Sequence, residues 1–320
     1  MKIALLDDYQ GVAGSIVDWQ KLGPRFEIRT FQAKFSTEEN LVDSLYPFDI
    51  IVVMRERTAF PRSVISKLPN LNLLITTGMR NTVIDLEAAT FYHVAVCGTR
   101  SLSEPTAELT WGLILSLARN IPQEYNNLRS ADLQAPWQSS MGTGLHGKTL
   151  GILGLGKLGT RVARIGKALG MKVLAWSQNL TRETTDSEEV ELAYSKEDLL
   201  QRSDFISIHL VLSERTRNLI SFKDYRHIRP AAYLINTSRS GIVHEAALID
   251  ALVNNRIAGA AVDVFDEEPL PAHHVFRRLP NVIATPHLGY VTTENYKVFY
   301  EDVLENILAY TKGQVLRPLN

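Results

Sequence analysis

Cysteine is almost absent from the sequence, and neither sign of charge is in excess. Cys97 is the single cysteine among 320 residues, so no disulfide can form within the chain. The 34 lysines and arginines nearly balance the 35 aspartates and glutamates, which leaves a net charge of -1. Without a basic excess, the composition gives no support for binding to nucleic acid or to an anionic membrane surface.

Long hydrophobic runs are also missing. The first apolar run, residues 3–6, is followed by two aspartates and is too short for a signal peptide. The most apolar later stretch, residues 109–118, is too short to span a bilayer and is typical of a buried helix. Together with the lone cysteine, which suits a reducing compartment, these features predict a cytoplasmic protein.

The length of the chain predicts two domains. At 320 residues it exceeds the usual single-domain size, and a hydrophobic content of 45% is enough to give each half a core. The sequence contains no repeat at a fixed period and no low-complexity tract.

The first hundred residues alternate short β-rich runs with amphipathic segments. The candidate strands are residues 3–6, 26–30, 50–54, 73–76 and 94–96. Such alternation predicts a parallel sheet covered by helices on both faces. Ligands of these sheets bind beyond the carboxyl ends of strands, so we expect the loops 55–58 and 77–81 to face a cleft. Ser36, with Glu39 three residues later, predicts a capping box at a helix start.

The stretch 149–177 predicts a strand, a glycine turn, a helix and a second strand. Its glycines have the spacing Gly154-x-Gly156-x-x-Gly159. The first glycine permits a tight turn, the second lets backbone approach a pyrophosphate, and the third lets the helix pack against the sheet. Amides at the start of that helix then bind the phosphates. The stretch therefore predicts a dinucleotide-binding unit.

A long apolar helix precedes this stretch, and regular alternation follows it. The helix runs from Glu104 to Arg119 and has a proline in its first turn, where the missing N–H costs nothing. The later predicted strands are residues 205–210, 233–236, 260–264 and 282–284, and the predicted helices lie near 195–201, 222–228 and 244–254. A final helix at about 292–311 has no sheet partner after it.

Three ionisable residues follow predicted strands in this second half of the chain. They are Arg239, Glu268 and His287. Taken singly, each has an ordinary interpretation as a solvated charge or a structural histidine. Because the carboxyl ends of parallel strands meet at one edge, all three residues can reach the same cleft. Together with a dinucleotide motif, they predict a site for redox chemistry.

In these motifs the chain resembles the D-isomer-specific 2-hydroxyacid dehydrogenase family, which includes glyoxylate/hydroxypyruvate reductases and phosphoglycerate dehydrogenases. Besides the glycine motif, the matching segments are Asn236-Thr237-Ser238-Arg239, Asp263-Val264-Phe265 with Glu268-Pro269, and Thr285-Pro286-His287-Leu288-Gly289. The resemblance implies an α/β protein of two doubly wound parallel-sheet domains. A Rossmann nucleotide-binding domain, residues 102–290, would be inserted into a flavodoxin-like substrate domain formed by residues 1–101 and 291–320.

The resemblance also implies roles for the three ionisable residues. His287 would protonate the carbonyl oxygen of a 2-keto acid while hydride arrives from a nicotinamide. Glu268 would hydrogen-bond the imidazole and favour its cation. Arg239 would bind the substrate carboxylate through two parallel charge-assisted hydrogen bonds. The loop whose backbone amides hold that carboxylate in relatives corresponds here to Gly78, Met79 and Arg80.

A cofactor site is implied at the carboxyl edge of the second sheet, and no metal site is expected. Asp263, on the family pattern, would meet the nicotinamide side of the cofactor. His209 is interpreted as structural or as lining the cofactor site, and not as catalytic. The complete set of expected cofactor-binding residues is Gly154, Gly156, Lys157, Leu158, Gly159, Ser177, Asn179, Arg182, His209, Thr216, Thr237, Asp263 and Gly289.

The end of the second strand of the dinucleotide unit predicts the cofactor preference. NAD-specific members carry an aspartate there for the ribose hydroxyls, whereas this chain has Ser177. The missing carboxylate removes the charge that would repel a 2′-phosphate, and Asn179 and Arg182 offer hydrogen bonds and positive charge. We therefore expect NADP in preference to NAD.

Two functions of different classes are compatible with these motifs. The first is an oxidoreductase that transfers a hydride between NAD(P)H and a small 2-keto acid such as glyoxylate or hydroxypyruvate. The second is a corepressor-like binding protein that senses NAD(P)(H), because some relatives are corepressors that keep the same three residues. The long helix from Glu104 and the loop to Met141 further predict a homodimer.

Overall fold

The computed structural model describes residues 1–130, 134 and 136–320. These residues form two compact units, one made of Met1–Leu102 with Thr292–Asn320 and the other of Ser103–Val291. The division falls beside the expected domain boundaries, and the roles of the two units stay predictions. No helix within the described ranges is long and apolar enough to cross a membrane.

The strands and helices alternate along most of the chain. The strands are β1 (Lys2–Leu5), β2 (Glu27–Thr30), β3 (Ile50–Val53), β4 (Leu73–Thr76), β5 (Ala95–Cys97), β6 (Thr149–Leu153), β7 (Lys172–Trp176), β8 (Glu191–Leu192), β9 (Phe205–Ile208), β10 (Tyr233–Asn236), β11 (Gly259–Val262) and β12 (Val282–Ala284). The α-helices are α1 (Glu38–Leu45), α2 (Arg62–Ile65), α3 (Leu86–Phe91), α4 (Glu104–Arg119), α5 (Ile121–Arg129), α6 (Lys157–Ala168), α7 (Arg182–Ser187), α8 (Lys196–Arg202), α9 (Glu245–Val253) and α10 (Thr293–Tyr310). Short 3-10 helices lie at Trp19–Leu22, Ser240–Ile242 and Val275–Arg277.

The first unit contains a five-stranded parallel sheet with the strand order β2-β1-β3-β4-β5. This is the order of flavodoxin-like folds. Every residue of β3 and β4 is buried, as expected for parallel strands that helices cover on both faces. The C-terminal helix α10 belongs to this unit, where Tyr300 packs edge-on against Trp19.

The second unit contains a seven-stranded parallel sheet with the order β12-β11-β10-β9-β6-β7-β8. Counted from β6, this is the 3-2-1-4-5-6 order of a Rossmann fold with one additional edge strand. Neighbouring residues of one strand enter different hydrophobic clusters, as Leu234 and Ile235 do. The sheet therefore has an apolar cluster on each face, and the expected pair of doubly wound parallel-sheet units is confirmed.

Three local predictions are wrong. The helix expected at 222–228 is a series of turns, in which the amides of Asp224, His227 and Ile228 donate to carbonyls three residues earlier. The cap of α1 is Thr37 and not Ser36, because the Thr37 side chain accepts the Asn40 amide. The expected strand 205–210 also ends at Ile208, which leaves His209 in the following loop.

Candidate active site

The carboxyl ends of five strands of the second unit meet at one edge of its sheet. The residues that follow these strands are Gly154 after β6, His209 after β9, Thr237 after β10, Asp263 after β11 and Thr285 after β12. The strand order changes direction between β6 and β9. Open α/β sheets bind their ligands at such a switch point, beyond the carboxyl ends of the strands.

The three motif glycines differ in what surrounds them. A Cβ at Gly159 would collide with the carbonyl oxygen of Gly154, and a Cβ at Gly154 would lie 2.8 Å from the carbonyl oxygen of His209. Gly154 also has a φ of 99°, a left-handed conformation that favours glycine. A Cβ at Gly156, in contrast, would meet nothing within 4 Å. Two glycines are thus required by internal packing, whereas the third borders open space.

The open space at Gly156 lies at the start of α6. Gly156 is the N-cap of this helix and supplies no side chain to its amides. The first amides of a helix have no partner within the helix, and the helix dipole favours an anion in front of them. A pyrophosphate group fits this arrangement, since it needs close approach to backbone and several N–H donors. The residues present therefore fit a dinucleotide cofactor.

Polar residues follow β7, at the strand end where the sequence predicts binding of the cofactor's ribose. Ser177 is half-buried, and Asn179 and Arg182 are exposed. The Thr181 side chain accepts the Thr184 amide as the N-cap of α7. Arg182 is the first residue of that helix, and its side chain is exposed.

His209 and Thr216 are held by internal contacts in the loop after β9. The Nε2 atom of His209 lies 2.8 Å from the Ser207 hydroxyl. Its Nδ1 atom is buried and has no hydrogen-bond partner among the residues that the structure describes. Burial lowers the pKa of the His209 imidazole to about 3, so the ring is neutral at physiological pH. The Thr216 hydroxyl donates to the carbonyl of Val211 at 2.7 Å and thereby closes a turn.

Glu268 and His287 form a hydrogen-bonded pair at the ends of β11 and β12. The Oε2 atom of Glu268 lies 2.7 Å from Nδ1 of His287, and Oε1 accepts the Phe265 amide at 3.0 Å. Both side chains are partly exposed, at 32% for Glu268 and 23% for His287. Because Nδ1 faces the carboxylate, Nε2 is the nitrogen that can exchange a proton with a ligand.

The carboxyl of Glu268 is held in its ionised form. Burial alone would raise its pKa, but the hydrogen bond and charge of His287, the Phe265 amide and the charge of Arg239 lower that pKa below its ordinary value. The contribution of Arg239 means that its guanidinium lies close enough to act on this carboxylate. The structure therefore brings together the three residues that the sequence singled out.

Arg239 follows β10 in a tight turn that the Asn236 side chain fixes. The Asn236 amide donates to the Arg239 carbonyl at 3.0 Å, and its oxygen accepts the Ser238 amide at 3.1 Å. The guanidinium donates to the Ser238 carbonyl at 2.8 Å. A planar guanidinium held at a strand end suits the binding of a carboxylate.

Asp263 has a role that the sequence did not reveal. Its carboxylate accepts the Thr285 hydroxyl at 2.6 Å and the amides of Leu288 and Gly289 at 2.7 and 2.8 Å. Burial raises the pKa of this carboxyl, and these three donors oppose that rise. Asp263 is only 1% exposed, so its carboxylate anchors the loop around His287. A contact between Asp263 and the nicotinamide stays a prediction.

The expected carboxylate-binding loop follows β4 in the first unit. Gly78 has a φ of 92° and donates its amide to the Thr99 hydroxyl at 2.8 Å. A Cβ at Gly78 would collide with the guanidinium of Arg55, which therefore lies against this loop. Met79 and Arg80 are exposed. The sequence analysis placed Arg55 in a loop expected to face a cleft but missed this contact, which joins residues that follow two different strands.

The backbone of Arg55 is connected to the neighbouring loop by hydrogen bonds to two side chains. The Arg55 amide donates to the Thr77 hydroxyl at 2.9 Å, and the Asn81 side chain donates to the Arg55 carbonyl at 2.7 Å. The loops 55–58 and 77–81 thus lie side by side at the carboxyl edge of the first sheet.

The chain matches known proteins over both units. Residues 111–289 match the family model described as D-isomer specific 2-hydroxyacid dehydrogenase, NAD binding domain. The chain is 39% identical over 259 residues to a glyoxylate reductase of Aeropyrum pernix, which covers 79% of this chain and 77% of that protein. It is 36% identical over 282 residues to a D-3-phosphoglycerate dehydrogenase of Methanocaldococcus jannaschii. That match covers 87% of this chain but only 53% of the relative.

A solved structure extends the similarity to the fold. A phosphoglycerate oxidoreductase of Vibrio cholerae has a TM-score of 0.93 and 34% sequence identity to this chain. The match covers 98% of this chain and 100% of that protein. Both the nucleotide-binding motifs and the arrangement of both sheets thus have counterparts in characterised folds.

Proposed function

Because the chain belongs to the D-isomer specific 2-hydroxyacid dehydrogenase family, we propose that it transfers a hydride between a nicotinamide cofactor and a small 2-oxo acid or D-2-hydroxy acid. The observation that carries this proposal is the pair formed by Glu268 and His287, with Arg239 close enough to act on the same carboxylate. These are the groups that reduction of a 2-oxo acid requires: a proton donor, a carboxylate that supports it and a cation for the substrate.

His287 supplies the proton in this proposal. When bound, the reduced nicotinamide supplies a hydride to the carbonyl carbon of the acid. Negative charge then develops on the carbonyl oxygen, and the Nε2–H of the imidazolium donates its proton there. The Glu268 carboxylate stabilises the imidazolium before transfer and orients the ring through Nδ1. In the reverse direction the neutral imidazole accepts the proton of the hydroxyl group.

Arg239 binds the carboxylate of the acid and lies beside the developing charge. Its two terminal nitrogens offer parallel N–H groups, which match the two oxygens of a carboxylate. In the first unit, we propose that the loop of Gly78, Met79 and Arg80 takes part in substrate binding. This assignment is supported by the exposure of Met79 and Arg80, whereas Gly78 is buried and its amide donates to the Thr99 hydroxyl.

The proposed substrates are small 2-oxo acids of the glyoxylate and hydroxypyruvate type. Several relatives of this chain are named glyoxylate reductase, and the chain matches more than three quarters of the length of the first of these. The phosphoglycerate dehydrogenases are about twice as long as the region that this chain matches. The proposal of a glyoxylate-type acid rests on the relatives of that name.

NADP is the proposed cofactor, and NAD is the alternative. Ser177 stands where an acidic residue would repel a 2′-phosphate, and Asn179 and Arg182 are exposed beside it. We also propose a homodimer that forms through the region after α4. Exposed apolar side chains support this proposal; they are Ile121, Tyr125, Leu128, Trp137 and Met141. Residues 131–133 and 135 of this region lie outside the described residues.

A panel assay tests the proposed function. The purified chain is mixed with NADPH or NADH and with glyoxylate, hydroxypyruvate, phosphohydroxypyruvate or pyruvate, and cofactor oxidation is followed by absorbance. We expect turnover with at least one acid and its loss in His287→Ala, while cofactor binding by fluorescence titration is retained. Tight cofactor binding without turnover of any acid would refute the enzyme and favour a cofactor-sensing binding protein.

A further inference from the structure

The loop that carries His287 is fixed by Asp263 on one side. His287 itself has a φ of 54°, which a non-glycine residue adopts only when its surroundings impose it. Both amides that follow it, at Leu288 and Gly289, donate to the Asp263 carboxylate. The Thr285 hydroxyl before it donates to the same group. These bonds fix the amides of the loop but leave its carbonyl groups to other partners.

Thr106, in the first turn of α4, holds the same loop from the other side. Its hydroxyl donates to the Gly289 carbonyl at 2.8 Å, although 183 residues separate the two in the chain. A Cβ at Gly289 would lie 3.2 Å from Oδ2 of Asp263 and 3.2 Å from Cγ2 of Thr106. Gly289 is therefore held between Asp263, which accepts its N–H, and Thr106, which donates to its carbonyl. We call this arrangement the Gly289 clasp.

The helix that carries Thr106 is itself joined to the dinucleotide helix α6. The Trp111 indole donates to the Val162 carbonyl at 3.2 Å, and Glu104 pairs with Arg161. A Cβ at Gly166 would lie 3.4 Å from the Trp111 ring. Helix α4 thus contacts the helix whose N-terminus fits the pyrophosphate, and the same helix holds the loop of His287.

A second threonine of α4, Thr110, determines whether the Thr237 hydroxyl donates or accepts in the hydrogen bond between them. Thr110 donates to the Thr106 carbonyl at 2.8 Å, and its oxygen lies 2.8 Å from the Thr237 hydroxyl. A hydroxyl has one proton. Because the Thr110 proton is used on Thr106, Thr237 must donate to Thr110. The lone pairs of Thr237, which is one of the expected cofactor-binding residues, are then left to accept a hydrogen bond.

We propose that Thr106 is a positioning residue for the proton transfer, acting through the Gly289 peptide on the conformation of His287. The expected effect of Thr106 on turnover rests on the proposed function, whereas its expected effect on the loop around His287 does not. Removing the hydroxyl leaves the Gly289 carbonyl without that donor and frees one side of the clasp. The His287 ring then samples orientations in which Nε2 no longer points at the substrate carbonyl.

Three variants separate positioning from general stability. Thr106→Val removes the hydroxyl and keeps the branched shape, whereas Thr106→Ser keeps the hydroxyl and removes the methyl group. Thr185→Val is the matched control, because Thr185 is also a helical threonine of this unit whose hydroxyl donates to a backbone carbonyl, that of Arg182, at 2.9 Å. Each variant is assayed for kcat, KM and the pH dependence of kcat with the best acid of the panel. Hydrogen exchange is measured by mass spectrometry on the intact chain.

We expect Thr106→Val to lower kcat by about tenfold, which corresponds to the loss of one hydrogen bond. We expect KM for both substrates to change less than about twofold, and we expect an altered pH profile, since the misplaced group is the one that transfers the proton. Exchange should accelerate in the peptide 285–290 alone. Thr106→Ser should keep kcat close to the wild-type value, because it retains the hydroxyl. Thr185→Val should change only the melting temperature.

Several results would overturn the inference. An unchanged kcat in Thr106→Val, or an equal loss in Thr185→Val, would show that the hydroxyl has only a structural role. Faster exchange throughout Ser103–Val291 would show the same. A wild-type chain without turnover would refute the proposed function instead. In that case, unchanged hydrogen exchange in peptide 285–290 of Thr106→Val would refute the positioning role. Faster exchange confined to that peptide would support the clasp.

Discussion

Nδ1 of His287 and Oε2 of Glu268 lie 2.7 Å apart, and the other oxygen of the same carboxylate accepts the Phe265 amide. Both oxygens of Glu268 are therefore fixed, so the carboxylate holds the imidazole in one orientation. The pKa of Glu268 is lowered, because the charge and hydrogen bond of His287, with Phe265 and Arg239, outweigh the burial that would raise it. The Glu268 carboxyl is therefore ionised at neutral pH and can orient the imidazole for proton transfer.

Glu268→Gln should lower kcat for reduction by about 10²-fold while the protein stays folded. The amide keeps the shape but removes the negative charge, so the imidazolium loses its support and the pH above which reduction fails should move down. Steady-state rates from acid to alkaline pH measure this shift. Glu267→Gln is the control, since Glu267 is the exposed neighbour in the chain. An unshifted profile in Glu268→Gln would contradict the role.

Arg239→Lys should lower kcat/KM for the acid by about 10²-fold and leave the affinity for the cofactor unchanged. Lysine keeps the charge but cannot make two parallel hydrogen bonds to one carboxylate. Initial rates over a range of acid concentrations give the change, and cofactor titration gives the affinity. Arg278→Lys, at an exposed position of the same unit, should behave like the wild type. Equal values of kcat/KM for the two lysine variants would show that Arg239 does not bind the acid.

Two glycines of the same motif should respond differently to alanine. Gly159→Ala should destabilise the fold by about 2 kcal/mol, because its Cβ collides with backbone at Gly154. Gly156→Ala should leave the melting temperature unchanged, because its Cβ enters open space. It should weaken cofactor binding by about tenfold, because that space is where the pyrophosphate approaches. Thermal melts and fluorescence titrations distinguish the two, and normal cofactor affinity in Gly156→Ala would place the pyrophosphate elsewhere.

Much of the fold was predictable because parallel strands are continuous apolar runs. The bounds predicted at 73–76, 233–236 and 282–284 are those of β4, β10 and β12. The glycine spacing also indicated which positions need backbone contact. Periodicity failed at 222–228, where the Asp224 carboxylate accepts the Ser221 amide and pairs with Lys196, and these bonds compete with a helical ladder.

The residue types of the site were predictable, but their partners were not. Strand ends indicated Arg239, Glu268 and His287, because each follows an apolar run. The clasp of Gly289 by Thr106 has no such signal, since a threonine near the start of a helix is common and its partner lies 183 residues away. Similarly, the loop anchor at Asp263 depends on two amides whose direction follows from the positive φ of His287.

Ser177→Asp should shift the cofactor preference toward NADH by about tenfold or more. A carboxylate at the end of β7 accepts hydrogen bonds from ribose hydroxyls and repels a 2′-phosphate. The ratio of kcat/KM for NADPH and NADH measures the change. Ser187→Asp, which adds the same charge at the exposed end of α7, is the control. An unchanged or rising preference for NADPH in Ser177→Asp would show that this strand end does not meet the ribose.

His209→Gln should make the cofactor-free protein more resistant to acid. Burial lowers the pKa of the folded imidazole to about 3, against an ordinary value of 6.5. Between these values the unfolded chain binds the additional proton, so native stability is retained above pH 6.5 and falls as the pH drops toward 3. At pH 5 the loss is on the order of 2 kcal/mol. Glutamine lacks this titration and keeps a polar atom to meet the Ser207 hydroxyl.

Urea unfolding at a series of pH values measures how the free energy of unfolding depends on pH in the wild type and in the variant. We expect the wild type to lose stability between pH 6.5 and pH 5 relative to His209→Gln. His93→Asn is the control, because His93 is exposed and asparagine tolerates its φ of 58°. If stability falls with pH at the same rate in the wild type and in His209→Gln, the prediction is wrong. The ring would then be hydrated in the folded chain, although its Nδ1 atom is buried by the packing around β9.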